Sequence, residues 1–327
     1  MIITVTPNPS IDRTVTLPGP LVRGGVQRAT SVASEPGGKG VNVARALTLA
    51  GVDCLAVLPA GPSDPLLAGL LAQGVEFLVV PVAGPVRTNL AITETDGTTT
   101  KVNEPGAVLA PAEADALADA VISRAGSASW VVLSGSLPPG LADDWYSQMV
   151  AALASLDCKV AVDTSDAPLA ALAAGLDRAA PDLIKPNSEE LAGLAGVSPE
   201  SLEGPLAHGD SGPVVAAARG LIDRGVGAVL ATLGAAGAVL VDADGSWLAT
   251  PPAVRALSTV GAGDSSLAGY LRAEITGAPP PARLQMAVAY GSAAAALPGS
   301  SLPSPGQLNL DDVSVTSVAG PQPEGLS

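Results

Sequence analysis

The sequence predicts an α/β protein in which helices cover both faces of a mostly parallel central sheet, with a small accessory β-sheet added as a lid. Three observations lead there. Short apolar runs alternate with Ala/Leu-rich helical segments over most of the 327 residues. Only 14% of residues are charged while 47% are hydrophobic, the balance expected of strands buried on both sides. Two polar, extended stretches, approximately 11–36 and 86–104, interrupt the alternation.

Strands are expected at Ile2–Val5, Leu55–Leu58, Val75–Val80, Trp130–Leu133, Val160–Asp163, Leu183–Lys185 and Ala228–Thr232. Each is a short, continuous Val/Leu/Ile/Ala run of strand length. Between them, helices are expected at Gly40–Ala50, Pro65–Gln73, Pro111–Arg124, Asp143–Leu156, Glu189–Ala195 and Val214–Arg224. Pro111 precedes Glu113 and Asp115, so carboxylates enter a first turn, and Arg124 falls in the last. Val86–Asn103 is Thr-rich with period-two patterning around Asp96-Gly97, a hairpin signal. Ile11–Ser34 alternates Thr, Val and polar residues in the same extended manner. Residues 1–316 are expected to form the domain, and 317–327 a disordered tail.

Composition narrows the function. Sixteen basic against 31 acidic residues give a net charge of −15 and a pI near 4.3. That leaves no cationic excess to release counterions from a phosphate backbone, and 2% aromatics offer few stacking platforms. Nucleic acid is therefore not an expected partner. The uncharged run Gly225–Val241 reads as two buried strands joined by a GAAG turn, since four glycines divide it, so no membrane span is expected. The N-terminus lacks the charged and apolar regions of a signal peptide. Cys54 and Cys158 have no metal-ligand spacing and read as buried thiols in a reducing cytoplasm.

The single histidine, His208, sits in GPLAHGDSG, which reads as a turn-forming loop. Ser-His-Asp, Cys-His and His-based zinc chemistry all depend on it, so a general base is expected to be a carboxylate. Pro36-Gly37-Gly38-Lys39-Gly40 is not a Walker A loop, because glycine follows Lys39. Gly261-Ala262-Gly263-Asp264-Ser265-Ser266 lacks the third glycine of a dinucleotide fingerprint. A tight turn before a helix would account for its glycines. Yet the bare N–H groups of Gly261 to Asp264, entering a helix, can also hold an anion. Asp264 on that same turn supplies a carboxylate. An anion hole beside a base is what phosphoryl transfer to a hydroxyl needs.

Pro36-Gly37-Gly38-Lys39-Gly40-Val41-Asn42-Val43-Ala44-Arg45 together with Thr259-Val260-Gly261-Ala262-Gly263-Asp264 resembles the two signatures of the ribokinase-like (PfkB) carbohydrate kinases. Thr6-Pro7-Asn8-Pro9 with Asp12, Ser134–Gly140 and Lys185–Leu191 extend the resemblance, in order, over about residues 1–310. The segments GGKGVNVARAL and SGSLPPG resemble the phosphofructokinase-type branch. The resemblance implies a ribokinase-like three-layer fold and an ATP- and Mg²⁺-dependent kinase. Its most favoured acceptor is fructose 1-phosphate; tagatose 6-phosphate and fructose 6-phosphate are alternatives, and a catalytically silent binding protein is the alternative outside enzymes.

The resemblance also implies roles. Asp264 is the base, with Gly261, Ala262 and Gly263 as the anion hole. Lys185, Asn187, Thr232, Gly234 and Gly237 lie at the nucleotide, and Glu190 organises Mg²⁺ through water. Asp12, Gly38 and Asn42 meet the sugar hydroxyls, with Asn89 and Ser136 as weaker candidates. Lys39 and Arg87 are expected to hold the sugar's phosphate, a cationic pair that favours a phosphorylated acceptor. The accessory sheet, which would otherwise expose strand edges, is the expected homodimer contact.

Overall fold

A computed structural model describes residues 1–252 and 256–318. In chain order the elements are β1 (Ile2–Val5), β2 (Ser10–Thr16), β3 (Ser31–Gly37), α1 (Lys39–Leu49), β4 (Cys54–Ala60), α2 (Pro65–Ala72), β5 (Glu76–Pro81), β6 (Arg87–Thr93), β7 (Thr99–Asn103), α3 (Pro111–Ala125), β8 (Trp130–Ser134), α4 (Trp145–Leu153), β9 (Lys159–Asp163) and α5 (Asp166–Gly175). They continue with β10 (Leu183–Ile184), α6 (Ser188–Ala195), α7 (Pro199–Ala207), α8 (Gly212–Ile222), β11 (Ala228–Thr232), β12 (Ala238–Asp242), β13 (Ser246–Thr250), α9 (Ala262–Glu274), α10 (Pro280–Ala295) and β14 (Ser314–Ser317).

Ten strands form the main sheet in the order β14-β13-β12-β11-β10-β9-β8-β1-β4-β5. From β5 to β11 every pairing is parallel; β12, β13 and β14 complete the edge antiparallel. Side chains alternate between the two faces, so neighbouring residues of one strand enter different cores. Ile3, Val5 and Val57 pack with Leu117, Tyr146 and Leu172 from α3, α4 and α5. Ile2, Ala56 and Leu58 pack with Val43, Leu70, Leu271 and Leu284 from α1, α2, α9 and α10. Helices thus cover both faces, and the three-layer expectation holds. Gly225–Val241 spans β11, a short 3₁₀ turn and β12; among the described residues no helix is long and apolar enough to cross a membrane.

The accessory sheet has the order β3-β2-β6-β7. It consists of two antiparallel hairpins joined by a parallel β2–β6 seam. Asp96-Gly97 lies in the β6–β7 turn, where Gly97 takes φ +93°. Its β2–β3 and β6–β7 hairpins are the two stretches that break the sequence's alternation.

Two local readings are corrected. The expected loop at GPLAHGDSG contributes its first four residues to α7, with Pro205 inside the helix and His208 at its end. Burial of Leu202 and packing of Leu206 against the core outweigh the local breaker. At the C-terminus, Ser317 is the last residue of β14, paired with Trp247, so the sheet extends one residue into the expected tail; residues 319–327 of that tail lie outside the described residues. Helices α5 and α10 and strands β13 and β14 were not anticipated. Asp166–Gly175 is apolar nearly all round, and α10 opens with prolines, so neither shows a clean helical period.

Candidate active site

The parallel strands deliver their chemistry at their carboxyl ends, where open α/β sheets hold ligands. β1 leads to Asn8, β8 to Gly135 and Ser136, β9 ends on Asp163, β10 runs into Lys185, and β11 ends on Thr232. Facing them, Gly38 (φ +104°) turns the chain into α1 and sets Lys39 in its first turn, and Gly261 (φ +77°) does the same for α9 and Asp264.

At the centre stand two carboxylates and two ammonium groups. Asp163 is fully buried; Lys39 Nζ donates to its Oδ1 at 3.1 Å and Lys185 Nζ lies 3.2 Å from its Oδ2. Lys39 Nζ is also 4.0 Å from Asp264 Oδ1, and Asn42 Nδ2 donates to Asp264 Oδ2 at 2.9 Å. Burial works against the Asp163 charge, but Lys185 and Lys39 outweigh it and hold the carboxyl below the usual carboxylate range. Asp264 moves the other way: burial, reinforced by the Asp163 charge, raises its pKa against the pull of Lys39, Asn42 and Lys185. Asp163, ahead of the opposing burial, and then Asp264 keep the Lys39 ammonium firmly protonated.

The α9 N-terminus meets this cluster directly. A Cβ on Gly263 would sit 3.2 Å from Lys185 Nζ, so Lys185 and the first-turn amides face one space. Among the described residues, the N–H groups of Gly261 and Gly263 reach no backbone carbonyl, and that of Ala262 reaches Thr259 only at 3.4 Å. First-turn donors have no partner within their own helix, and here they and Lys185 present positive charge beside Asp264.

The lid supplies the other wall. A cleft of about 680 Å³ separates its Asp12, Thr14 and Asn89 from Thr259, Val260 and Ser300. Ser10 Oγ and Asn89 Nδ2 both donate to Asp12 Oδ1, at 2.8 and 3.0 Å, and the carboxylate nests where any Cβ on Gly37 would fall. Among the described residues, Asn89 Oδ1 and Arg87 Nε are buried without a hydrogen-bond partner, so both are open to a ligand group. Arg87 shares a cavity of about 460 Å³ with Asn8 and Ser136, and Asn8 Nδ2 donates to Ser136 Oγ at 3.3 Å. Burial lowers the Arg87 pKa against the opposing charge of Asp12.

At the far end, Asn187 and Glu190 form a reciprocal capping box on α6. Asn187 Oδ1 accepts the Glu190 N–H and Glu190 Oε2 accepts the Asn187 N–H, both at 2.8 Å. Burial, then the Asp163 charge, raises Glu190 against that hydrogen bond and the two lysines. Thr232 bridges to Asn187. Gly234 (φ +58°) faces open space, whereas a Cβ on Gly237 (φ +102°) would collide with the Ala249 carbonyl. Gly237 is therefore required by the approach of β13.

The arrangement separates residues that the sequence reading grouped. Lys39 points to Asp163 and Asp264, while Arg87 lies with Asn8 and Ser136; no contact joins the two cations. Asn42, expected on a sugar hydroxyl, is bonded to the carboxylate of Asp264. Asp163, Asn8 and Ser10 were missed as site residues. A carboxylate closing the apolar run KVAVD at the carboxyl end of a parallel strand was the available signal for Asp163.

A doubly covered parallel sheet with bare amides at a helix start, a buried carboxylate beside them and a lidded cleft suits a phosphotransferase acting on an alcohol group. Residues 6–306 match the model of the pfkB family carbohydrate kinases, and the chain belongs to that family. It is 41% identical over 276 residues to a 1-phosphofructokinase of Xanthomonas campestris pv. campestris, covering 83% of each chain. The crystal structure of Escherichia coli phosphofructokinase-2 with substrates and products superposes with a TM-score of 0.85 at 32% identity, covering 94% of this chain and 96% of that one. A Thermotoga maritima ribokinase, 20% identical, shares the fold with a TM-score of 0.67 over 94% of this chain and 96% of that one.

Proposed function

We propose that this kinase is a 1-phosphofructokinase, transferring the γ-phosphoryl group of ATP to the free primary hydroxyl of fructose 1-phosphate. The observation that carries the transfer chemistry is the buried Asp264, whose Oδ1 faces Lys39 and whose helix start presents bare amides beside Lys185. Asp264 takes the acceptor proton as the hydroxyl oxygen attacks the γ-phosphorus, whose bond to the β–γ bridging oxygen breaks so that ADP leaves. The amides of Gly261, Ala262 and Gly263, with Lys39 and Lys185, meet the charge on the phosphoryl oxygens, and the lid excludes water. Asp12 and Asn89 suit the sugar hydroxyls, and the cavity of Arg87, Asn8 and Ser136 suits the phosphate already present.

Lys185, Asn187, Thr232 and Gly234 form the proposed nucleotide end, where Gly234 has the open space a nucleotide needs. Among the described residues no group of three or more His, Cys, Asp or Glu side chains could hold a metal. Mg²⁺ keeps most of its waters and takes few protein ligands, as an ion carried in on the nucleotide would. Glu190, one oxygen occupied by the Asn187 N–H, would meet such a water with the other; when bound, the ion neutralises phosphate charge. Relatives named 1-phosphofructokinase favour fructose 1-phosphate. The likeness to E. coli phosphofructokinase-2, whose structure is also known with fructose 6-phosphate, supports 6-phosphofructokinase as the second reading.

A coupled assay of ADP release across fructose 1-phosphate, fructose 6-phosphate, tagatose 6-phosphate and ribose tests the assignment. The highest kcat/KM is expected for fructose 1-phosphate. Equal kcat/KM for ribose would remove the phosphate role of the Arg87 cavity. The assembly we propose is a homodimer through the lid, supported by Val32 and Val102, which are 51% and 56% exposed on it. The two free cysteines fit a cytoplasmic setting.

A further inference from the structure

Arg45 lies on α1, is 6% exposed, and takes part in none of the steps above. Its guanidinium nevertheless joins the lid to the Asp264 carboxylate. Nη2 donates to Glu35 Oε2 at 2.6 Å, Nη1 to the Pro36 carbonyl at 2.9 Å and to Asn42 Oδ1 at 3.2 Å, and Nε to Gln73 Oε1 at 2.6 Å. Glu35 and Pro36 belong to lid strand β3, Gln73 ends α2, and Asn42 stands one helical turn before Arg45 on the same face. Asn42 then donates its other amide end to Asp264 Oδ2.

The polarity of this chain is fixed. A guanidinium has only donors and a carboxylate only acceptors. An Asn placed between them has one satisfactory orientation, with its oxygen on Arg45 and its NH₂ on Asp264. Turned over, it would set oxygen against oxygen and nitrogen against nitrogen. Asp264 is thereby held by Oδ2, leaving Oδ1, the oxygen nearer Lys39, for the acceptor proton. At the other end, Glu35 is the β-ladder partner of Asp12 on β2 and also accepts from Ser300 Oγ, at 3.4 Å, on the opposite rim of the cleft.

We infer that Arg45 is a positioning residue through which lid strand β3 orients Asp264, by way of Asn42, so that seating of the sugar against Asp12 and readiness of the base are coupled. The inference rests on the reading of Asp264 as the base. The charged groups facing Asp264 are Lys39 from α1, Asp163 from β9 and Lys185 after β10, and none of them is altered by changes at Glu35 or Arg45.

The test compares Arg45→Lys, Glu35→Gln and Asp264→Asn in the full chain. Fructose 1-phosphate kinetics are measured across pH, and the side-chain amide of Asn42 is followed by ¹H–¹⁵N NMR. Arg45→Lys keeps the buried charge but cannot serve Glu35 and Asn42 together. It is expected to lower kcat about tenfold or more, leave KM within about twofold, and move the acid limb of kcat up by about one pH unit, because Asp264 loses a donor to its charged form. The Asn42 amide signal should shift as it does in Asp264→Asn. Glu35→Gln, at a half-exposed residue, should show the same pattern more weakly. An unchanged acid limb in both variants overturns the inference, whether activity is retained or KM rises with lost stability. Near-normal turnover of Asp264→Asn overturns the base reading instead, and is recognised because the Asn42 signal still responds to Arg45→Lys.

Discussion

Asp163 and Asp264 lie against the same lysine, and their surroundings drive them in opposite directions. Asp163, between Lys39 and Lys185, stays charged; Asp264, with less compensation for its burial, is raised. Such divergence separates a structural carboxylate from one poised to accept a proton. With Asp264 as base, kcat is expected to fall as pH drops through a value above the ordinary carboxylate pKa of about 3.9. Asp264→Asn should lower kcat by about 10²–10⁴. Because a raised carboxyl pKa means that ionisation opposes folding, stability from this group is full below its unfolded pKa and is lost as pH rises through the folded one. The same substitution should therefore raise Tm at pH 7; calorimetry beside the kinetic assay measures both, and a lower Tm would count against the Asp264 environment described. For Asp163 the sign reverses: its stabilisation is present above the unfolded pKa and disappears as pH falls through the lowered folded value. Asp163→Asn strands Lys185, which is 4% exposed, and should cost about 3–5 kcal/mol, read as a drop in the urea midpoint.

At the scale of elements, Asn187-x-x-Glu190 carries two meanings that one experiment separates. As a capping box it holds the start of α6; as a proposed metal-organising pair it serves the nucleotide. Asn187→Ala should cost about 1 kcal/mol by loss of the cap. Glu190→Gln keeps an acceptor for the Asn187 N–H, so unfolding should hardly change while the Mg²⁺ concentration needed for half-maximal turnover rises. An unchanged Mg²⁺ requirement would leave the motif as a helix cap alone. The motif also shows what a sequence makes legible. The apolar runs of β1, β4, β8, β9 and β11 and the Asp96-Gly97 turn announce themselves because local pattern and tertiary burial agree. Helix α7 does not, since Gly204-Pro205 reads locally as a loop and only Leu202 and Leu206 packing makes it helical. At the site, the Asp264 turn was legible from spacing. The Lys39–Asp163 pair, 124 residues apart, and the bond from Asn42 to Asp264, 222 apart, exist only after the sheet brings strand ends together.

Over the whole molecule, the lid has two faces whose difference follows from its register. Asp12 pairs with Asn89, and Asn89 with Asn103, on the face that lines the cleft. One residue along, Val32 pairs with Val15, Val15 with Ile92, and Leu90 with Val102, so the alternation sets these on the opposite face, although Leu90 also borders the cleft. On that outer side Arg13 stands among Val15, Val32, Leu90, Ile92 and Val102, and helix α2 packs at the Ile11–Pro36 end; edge β7 is exposed throughout and edge β3 over its first four residues. A second copy of the same surface would cover both, since a twofold contact needs only a self-complementary patch. Cationic side chains at Val32 and Val102 would place charge on both flanks of that patch, on edge strands β3 and β7, while leaving Asp12 and Asn89 in the cleft untouched. The Val32→Lys/Val102→Lys protein is therefore expected to elute as a monomer in size-exclusion chromatography with light scattering, at concentrations where the unaltered chain is expected to elute as a dimer. Its far-UV circular dichroism should be unchanged. A double variant that remains dimeric would mean that the contact lies elsewhere and that the outer face of the lid stays open to solvent.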